Sequence, residues 1–130
     1  MDQGITNVMT TDIVACAADA SLVEAAAIMR DHGARALVLM DHGEVRGIVS
    51  ARDIVIRCVA NGADLGRAMA SDASARPVPT VDHAASSADA ARVMEAHGAA
   101  SVAVVDEGRL LGVVTADEIR LASSDAASHG

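Results

Sequence analysis

The sequence predicts a mixed α/β (α+β) fold built from two pseudo-symmetric β-α-β-β-α halves, and three observations carry that prediction. The first is an internal repeat, in which GARALVLMDHGEVRGIVSARDI from Gly33 aligns without a gap on GAASVAVVDEGRLLGVVTADEI from Gly98, an offset of 65 residues (98 − 33). The second is the order of periodicities in each copy: an apolar run, a helical stripe, two apolar runs about a turn, then a helical stripe. The third is a matched pair of turns, Gly47-Ile48-Val49-Ser50-Ala51-Arg52-Asp53 and Gly112-Val113-Val114-Thr115-Ala116-Asp117-Glu118, each leading from strand into helix. The match extends back through Met29/Met94, His32/His97, Glu24/Asp89 and Ser21/Ser86. The repeating unit is therefore about 60 residues, beyond most helical solenoid periods, and two copies make a pair and not an array.

The elements follow in order. Ile5, Val8 and Met9 stand at near-helical spacing, Ile13-Val14 reads as a short first strand, and Asp19 begins the turn out of it. Ser21 and Glu24 have the spacing of a capping box, and Leu22, Ala25, Ala26 and Met29 share one face, predicting a helix over about 21–32 that Gly33 ends. Ala36 to Met40 and Val45 to Val49 flank Asp41-His42-Gly43 and read as a buried hairpin. Ser50 opens a helix with the stripe Ile54, Val55, Cys58, Val59, which Asn61-Gly62 stops. Ile56 lies off that stripe and points to a second interface. Residues 5–62 thus form the first motif, and the small, polar residues 63–77 read as a linker. The second motif, 78–122, repeats the plan with a strand near 78–81, a helix near 86–97, a hairpin near 101–114 and a helix from Ala116 to about Ala122. Residues 123–130 read as a polar tail, expected to be disordered. Gly47 and Gly112 fall inside the last strand of each half, where a glycine admits close approach by another backbone or a ligand.

Composition narrows the function. The chain of 130 residues is 52% hydrophobic yet has no Phe, Trp or Tyr, so its core is built from Ala, Val, Ile, Leu and Met. It offers no aromatic platform for a base, and a ligand would be held by aliphatic walls. The formal charge of −8 comes from 18 acids against 10 bases, all of them Arg, which argues against a nucleic-acid partner. The start MDQGITNVMTTD has neither a basic nor an apolar leader region, and no apolar run approaches the ~18 residues of a spanning helix. A cytoplasmic protein away from the membrane is expected. Cys16 and Cys58 stand in no metal spacing and read as two buried thiols, with a disulfide between them left open.

The element order, the pairing and the two G-h-h-[ST]-x-x-[DE] turns together resemble a tandem pair of CBS motifs, the module named after cystathionine β-synthase. The resemblance covers nearly the whole chain and leaves no room in it for a catalytic or transport domain. It implies two motifs packed through their sheets about a pseudo-twofold axis, a homodimer, and two clefts that take adenosine ligands such as AMP, ATP, NADH or S-adenosylmethionine. No cofactor is required. Carried onto this chain, the resemblance makes Asp53 the ribose ligand, Ser50 and Arg52 ribose or phosphate contacts, Ile48 and Ala34 base-lining residues, and Arg35 a phosphate-facing side chain. The second cleft would use Glu118, Thr115, Asp117, Val113 and Ala99, with Ala100 replacing the phosphate contact.

The chemistry of the residues is compatible with this. A carboxylate accepts both donors of a vicinal diol, a helix start favours phosphate, and Arg35 and Arg52 supply counter-charge. Each Ser/Thr-x-x-Asp/Glu set is equally a capping box. Glu118 fits that plain role better than the shorter Asp53, and no base accompanies Asp117-Glu118, so the first cleft is expected to hold the nucleotide. On that expectation Asp53→Ala abolishes ribose-dependent binding and Glu118→Ala mainly lowers the melting temperature. His32 and His97 read as helix C-terminal groups in preference to a metal pair. Met29 and Met94 read as core fillers. No nucleophile and base stand at a recognisable catalytic spacing, so an enzyme is not expected. The expected function is a regulatory module that senses an adenosine nucleotide and signals to an unidentified protein effector. The alternative is a ligand-free dimerisation and protein-interaction module.

Overall fold

The computed structural model describes residues 4–129, with side chains through Ala122. The first half contains β1 (Ala15–Ala17), α1 (Leu22–His32), β2 (Ala36–Asp41), β3 (Glu44–Ser50) and α2 (Ala51–Ile54). The second contains β4 (Thr80–Asp82), α3 (Ser87–His97), β5 (Ser101–Asp106), β6 (Arg109–Thr115) and α4 (Ala116–His129). Each half forms a three-stranded sheet, in which the first strand pairs parallel to the second and the second antiparallel to the third. The mixed α/β architecture is as the repeat predicts.

Local chemistry explains the elements. Ser21 and Ser86 cap α1 and α3 by accepting the N–H three residues on, and Gly33 and Gly98 end them in the left-handed region. The hairpins turn through His42-Gly43 and Glu107-Gly108, all four residues at positive φ, the signature of the twist-matched two-residue turn. Along β2, Leu37 and Leu39 face Leu22, Ala25 and Met29 of α1. The alternate residues Ala36 and Val38 join Ile48 and Val113 between the two sheets. A strand buried on both faces is therefore an unbroken apolar run. Each fully buried Leu or Val contributes roughly 1.5–3 kcal/mol, enough for these small aliphatics to hold two sheets without an aromatic.

The structure corrects several boundaries. The first strand lies at 15–17, two residues beyond Ile13-Val14, because its register is set by pairing with Val38 to Met40. The stripe expected after Ser50 is broken: Cys58 is buried, but Val55 and Val59 are 55% and 50% exposed. The cause is a change of period, since α2 passes into a π-helical turn at Val55–Val59 with Ala60 N–H bonded to Val55 O. At the other end α4 runs on to His129 where a disordered tail was expected, there being no Gly or Pro to stop it between Ala116 and His129. Its last residue, Gly130, lies outside the described residues.

The linker expectation fails most informatively. Ala68, Ala70 and Ala73 are buried in the core of the first half, while Ile5 is buried in that of the second. The two crossing segments are related by the repeat. Ile5 N–H donates to Ala85 O as Ala70 N–H donates to Ala20 O, each at 2.9 Å. The segments pass over the strand glycines, and a Cβ on Gly47 would lie 2.9 Å from Ser74 Oγ. One on Gly112 would lie 2.7 Å from Thr10 O. The close approach expected at these glycines is thus by the chain's own exchanged segments, and a bulge falls beside each, after Leu39 and after Val104.

Candidate functional site

The two signature turns meet near the pseudo-twofold axis. Ser50, Ala51 and Arg52 at the start of α2 and Thr115, Ala116 and Asp117 at the start of α4 line a central cavity of about 170 Å³, closed by Ala34, Arg35 and Ala100. A second cavity of about 170 Å³ adjoins it, sharing Ala34 and Arg35 and bounded by Thr10, Asp12, Val14, Val113 and Glu118. Each alone is smaller than the roughly 300–1,000 Å³ of ligand pockets, so a ligand larger than a small fragment would have to use both.

The two acids of the turns are in different states. Asp53 is 2% exposed. Its Oδ2 accepts from Ser50 N–H (2.8 Å), Ser50 Oγ (2.8 Å) and Ser101 Oγ (3.0 Å), and its Oδ1 from Ala100 N–H (2.8 Å). A carboxylate has about four acceptor positions, so Asp53 is saturated. Two of its donors come from the opposite half, and Arg57 reinforces the join by donating from Nη2 to His97 O and Gly98 O. Ile48 is buried between the sheets. Neither Asp53 nor Ile48 lines either cavity.

Glu118 is half-buried. Its Oε1 accepts from Thr115 N–H (2.9 Å) and Thr115 Oγ1 (3.1 Å), and its Oε2 from Thr10 Oγ1 (2.6 Å). Glu118 thus makes three of about four possible bonds, and it lines the side cavity. The asymmetry has a sequence cause. Ala100 and Ser101, which seal Asp53, correspond to Arg35 and Ala36, and Ala36 has no hydroxyl to donate. Among the described residues no bond joins Glu118 to Arg35 or Ala36, and the gap between them is the side cavity.

This rearranges the expected sites. Arg35 and Ala34, assigned to the cleft of Asp53, line the cavity of Glu118 and Val113 as well as the central one. The second cleft therefore does have a base. Arg35 and Arg52 are exposed, and among the described residues neither forms an ion pair. Asp117 is already neutralised by Arg120 at 2.8 Å. Thr10, Asp12 and Val14 went unpredicted, as did the Ala100 and Ser101 contacts to Asp53. They lie far in sequence from the acids they surround, and no local pattern marks them.

The remaining candidates resolve simply. His32 and His97 each donate from Nδ1 to the carbonyl four residues back, at 2.9 Å, as helix C-terminal groups do. Cys16 and Cys58 are free thiols, Cys58 buried and Cys16 only partly so. Burial, then the nearby Asp72 carboxylate, raises the Cys58 pKa; burial and then Glu24 raise that of Cys16. Neither is an activated nucleophile. Among the described residues no helix is long and apolar enough to cross a membrane.

Two β-α-β-β-α halves packed through their sheets, with their paired turns lining one cavity, define a tandem-repeat module. The family model described as CBS domain matches residues 5–59 and again 70–125, and the chain belongs to that family, with two CBS motifs. It is 25% identical over 126 residues to the CBS domain-containing protein YhcV of Bacillus subtilis, covering 97% of this chain and 89% of that protein. It is 33% identical over 114 residues to hypoxic response protein 1 of Mycobacterium tuberculosis, covering 87% of this chain and 80% of that one. A crystal structure of Hypoxic Response Protein I, described with two coordinated zinc ions, aligns with a TM-score of 0.62 over 88% of this chain and 94% of that one. A hexameric CBS-CP12 protein from bloom-forming cyanobacteria aligns with a TM-score of 0.77 at 22% identity, over 98% of this chain and 75% of that one, a likeness of fold.

Proposed function

We propose that the chain is a regulatory module that binds an adenosine nucleotide of the AMP, ATP, NADH or S-adenosylmethionine type beside Glu118 and signals its occupancy to a protein partner. The observation that carries this reading is the contrast between a sealed Asp53 with four bonds and a half-buried Glu118 with three, which shares its cavity with Arg35, unpaired among the described residues. In this arrangement Glu118 takes a ribose hydroxyl. Val14, Ala34, Ala36 and Val113 give aliphatic walls to the base, and phosphate lies towards Arg35 and Arg52 in the central cavity. Using Asp53 instead would strip Ala100 N–H and the Ser101 hydroxyl of their acceptor. That costs roughly 1–3 kcal/mol for each buried group, a large part of the ~4 kcal/mol that a millimolar ligand supplies. Because Ala100 both lines the central cavity and bonds Asp53, a phosphate there would bear directly on the join between the halves.

Calorimetric titration with the four nucleotides is expected to give at least one dissociation constant below about 1 mM, and Glu118→Ala to weaken it tenfold or more. Absence of binding by all four would overturn the proposal. A second reading, a ligand-free self-association module, is favoured by one observation. Val55, Ile56 and Val59 are 55%, 48% and 50% exposed on the π-helical turn after α2, an apolar patch of the kind that marks an interface. A solution mass above the 13.1 kDa monomer with no nucleotide response would select it.

A further inference from the structure

At the far end of the second sheet from the signature turns, β4 and β5 bring three metal-ligating side chains together. His83 follows β4 and continues its pairing, with its N–H donating to Val105 O at 2.9 Å. Its Nδ1 stands 3.5 Å from Asp82 Oδ2 and 3.5 Å from Asp106 Oδ1. All three ligand atoms lie within 4.8 Å of one another. Neither 3.5 Å approach is a normal hydrogen bond, which would bring the atoms to about 2.9 Å. The spacing matches that of ligands around a metal, since metal–ligand distances of about 2.0–2.2 Å at tetrahedral angles separate neighbouring ligand atoms by roughly 3.3–3.6 Å.

The repeat supplies an internal comparison. At the matching positions of the first half stand Ala17, Ala18 and Asp41, so two of the three ligands are particular to the second half. Asp41 lies 3.8 Å from the Arg46 guanidinium, whereas Leu111 occupies the place of that arginine beside Asp106. Among the described residues no arginine pairs with Asp82 or Asp106, which leaves two carboxylates facing one imidazole in a chain of net charge −8. The Ala84 N–H donates to Asp82 Oδ2 at 2.9 Å and fixes the direction of that carboxylate.

We propose that Asp82, His83 and Asp106 form a three-ligand site for a zinc-class divalent transition metal, with its remaining coordination positions open to water. One imidazole with two carboxylates suits zinc and its neighbours better than calcium, which takes six to eight oxygens, or magnesium, which keeps most of its waters. The site lies apart from the nucleotide cavities, shares no residue with them, and does not rest on the nucleotide reading.

The test uses the full chain without an affinity tag, freed of metal by chelator. It is titrated with zinc chloride by calorimetry and with cobalt(II) by visible absorption. One metal per chain is expected, weakened about tenfold or more by His83→Ala and by Asp106→Asn, with cobalt d–d bands and no thiolate charge-transfer band. The side chains are solvent-facing, so metal-free variants are expected to melt with the parent, and Asp82→Asn gives a third independent removal. The proposal is overturned by no binding up to about 1 mM zinc, by binding unchanged in these variants, or by a thiolate band placing the metal on Cys16 or Cys58.

Discussion

Asp53→Ala is expected to lower the midpoint of thermal unfolding by about 10 °C. The substitution removes four hydrogen bonds and leaves the Ala100 N–H and Ser101 hydroxyl, both buried, without their acceptor. Leaving buried donors unsatisfied costs roughly 1–3 kcal/mol each, so a total of about 3 kcal/mol is a moderate estimate. For a chain of this size that corresponds to about 4 °C per kcal/mol. Glu118→Ala removes three bonds to its side chain at a half-buried position and is expected to cost about 1–2 kcal/mol. Calorimetric melting of the two variants side by side checks the order, and Glu118→Ala melting below Asp53→Ala would contradict it. This ordering inverts the one expected from residue types alone, in which Asp53 is the ligand group and Glu118 the cap.

Gly112→Ala is expected to be the more damaging of the two strand-glycine substitutions. The added Cβ would meet the Thr10 carbonyl oxygen at 2.7 Å and the Met9 sulfur at 2.9 Å. A methionine side chain can swing away, but the Thr10 carbonyl is fixed by its bond from Val113 N–H at 3.0 Å, with Thr10 N–H returning to Val113 O at 2.8 Å. Either the crossing segment lifts off or the strand shifts, at a cost of about 1–3 kcal/mol. Lift-off would also separate Thr10 Oγ1 from Glu118. At Gly47 the nearest atoms are Ser74 Oγ and Cβ at 2.9 and 3.0 Å, side-chain atoms in place of a paired backbone carbonyl. Denaturant unfolding is expected to place Gly112→Ala below Gly47→Ala in stability, with amide exchange faster over residues 5–10. Equal stability of the two would mean that the N-terminal crossing segment is not clamped at this glycine.

Much of the fold is legible in the residues themselves. The 65-residue repeat, the Ser21 and Ser86 caps, the His42-Gly43 and Glu107-Gly108 turns and the apolar strands are local signals, and each leads to the element observed. What local patterns do not carry is the exchange of segments between halves. Ala68, Ala70 and Ala73 look like linker residues because small side chains suit both a flexible connection and a tight crossing over a glycine strand, and only the partner strand tells these apart. The site inherits the same difficulty. Asp53 reads from the sequence as a ribose ligand, because the groups it bonds beyond its own helix start, Ala100 and Ser101, lie 47 and 48 residues away. Arg35 was read as a phosphate contact, yet its cavity is shared with Glu118 because each cleft is assembled from the strand of one half and the helix start of the other. The π-helical turn at Val55–Val59 shows a further limit, since one change of helical period turns Val55 and Val59 outward from a stripe that a 3.6-residue repeat would bury.

The central claim is that the nucleotide lies against Glu118 and not against Asp53, and the most direct measurement is a titration of the nitrogen-15-labelled chain with the tightest of the four nucleotides, followed residue by residue through its amide shifts. The largest changes are predicted at Thr10, Ala34, Arg35, Val113 and Glu118, which bound the side cavity. Largest changes at Ile48, Asp53 and Ala99 to Ser101, with Thr10 and Glu118 unmoved, would contradict it.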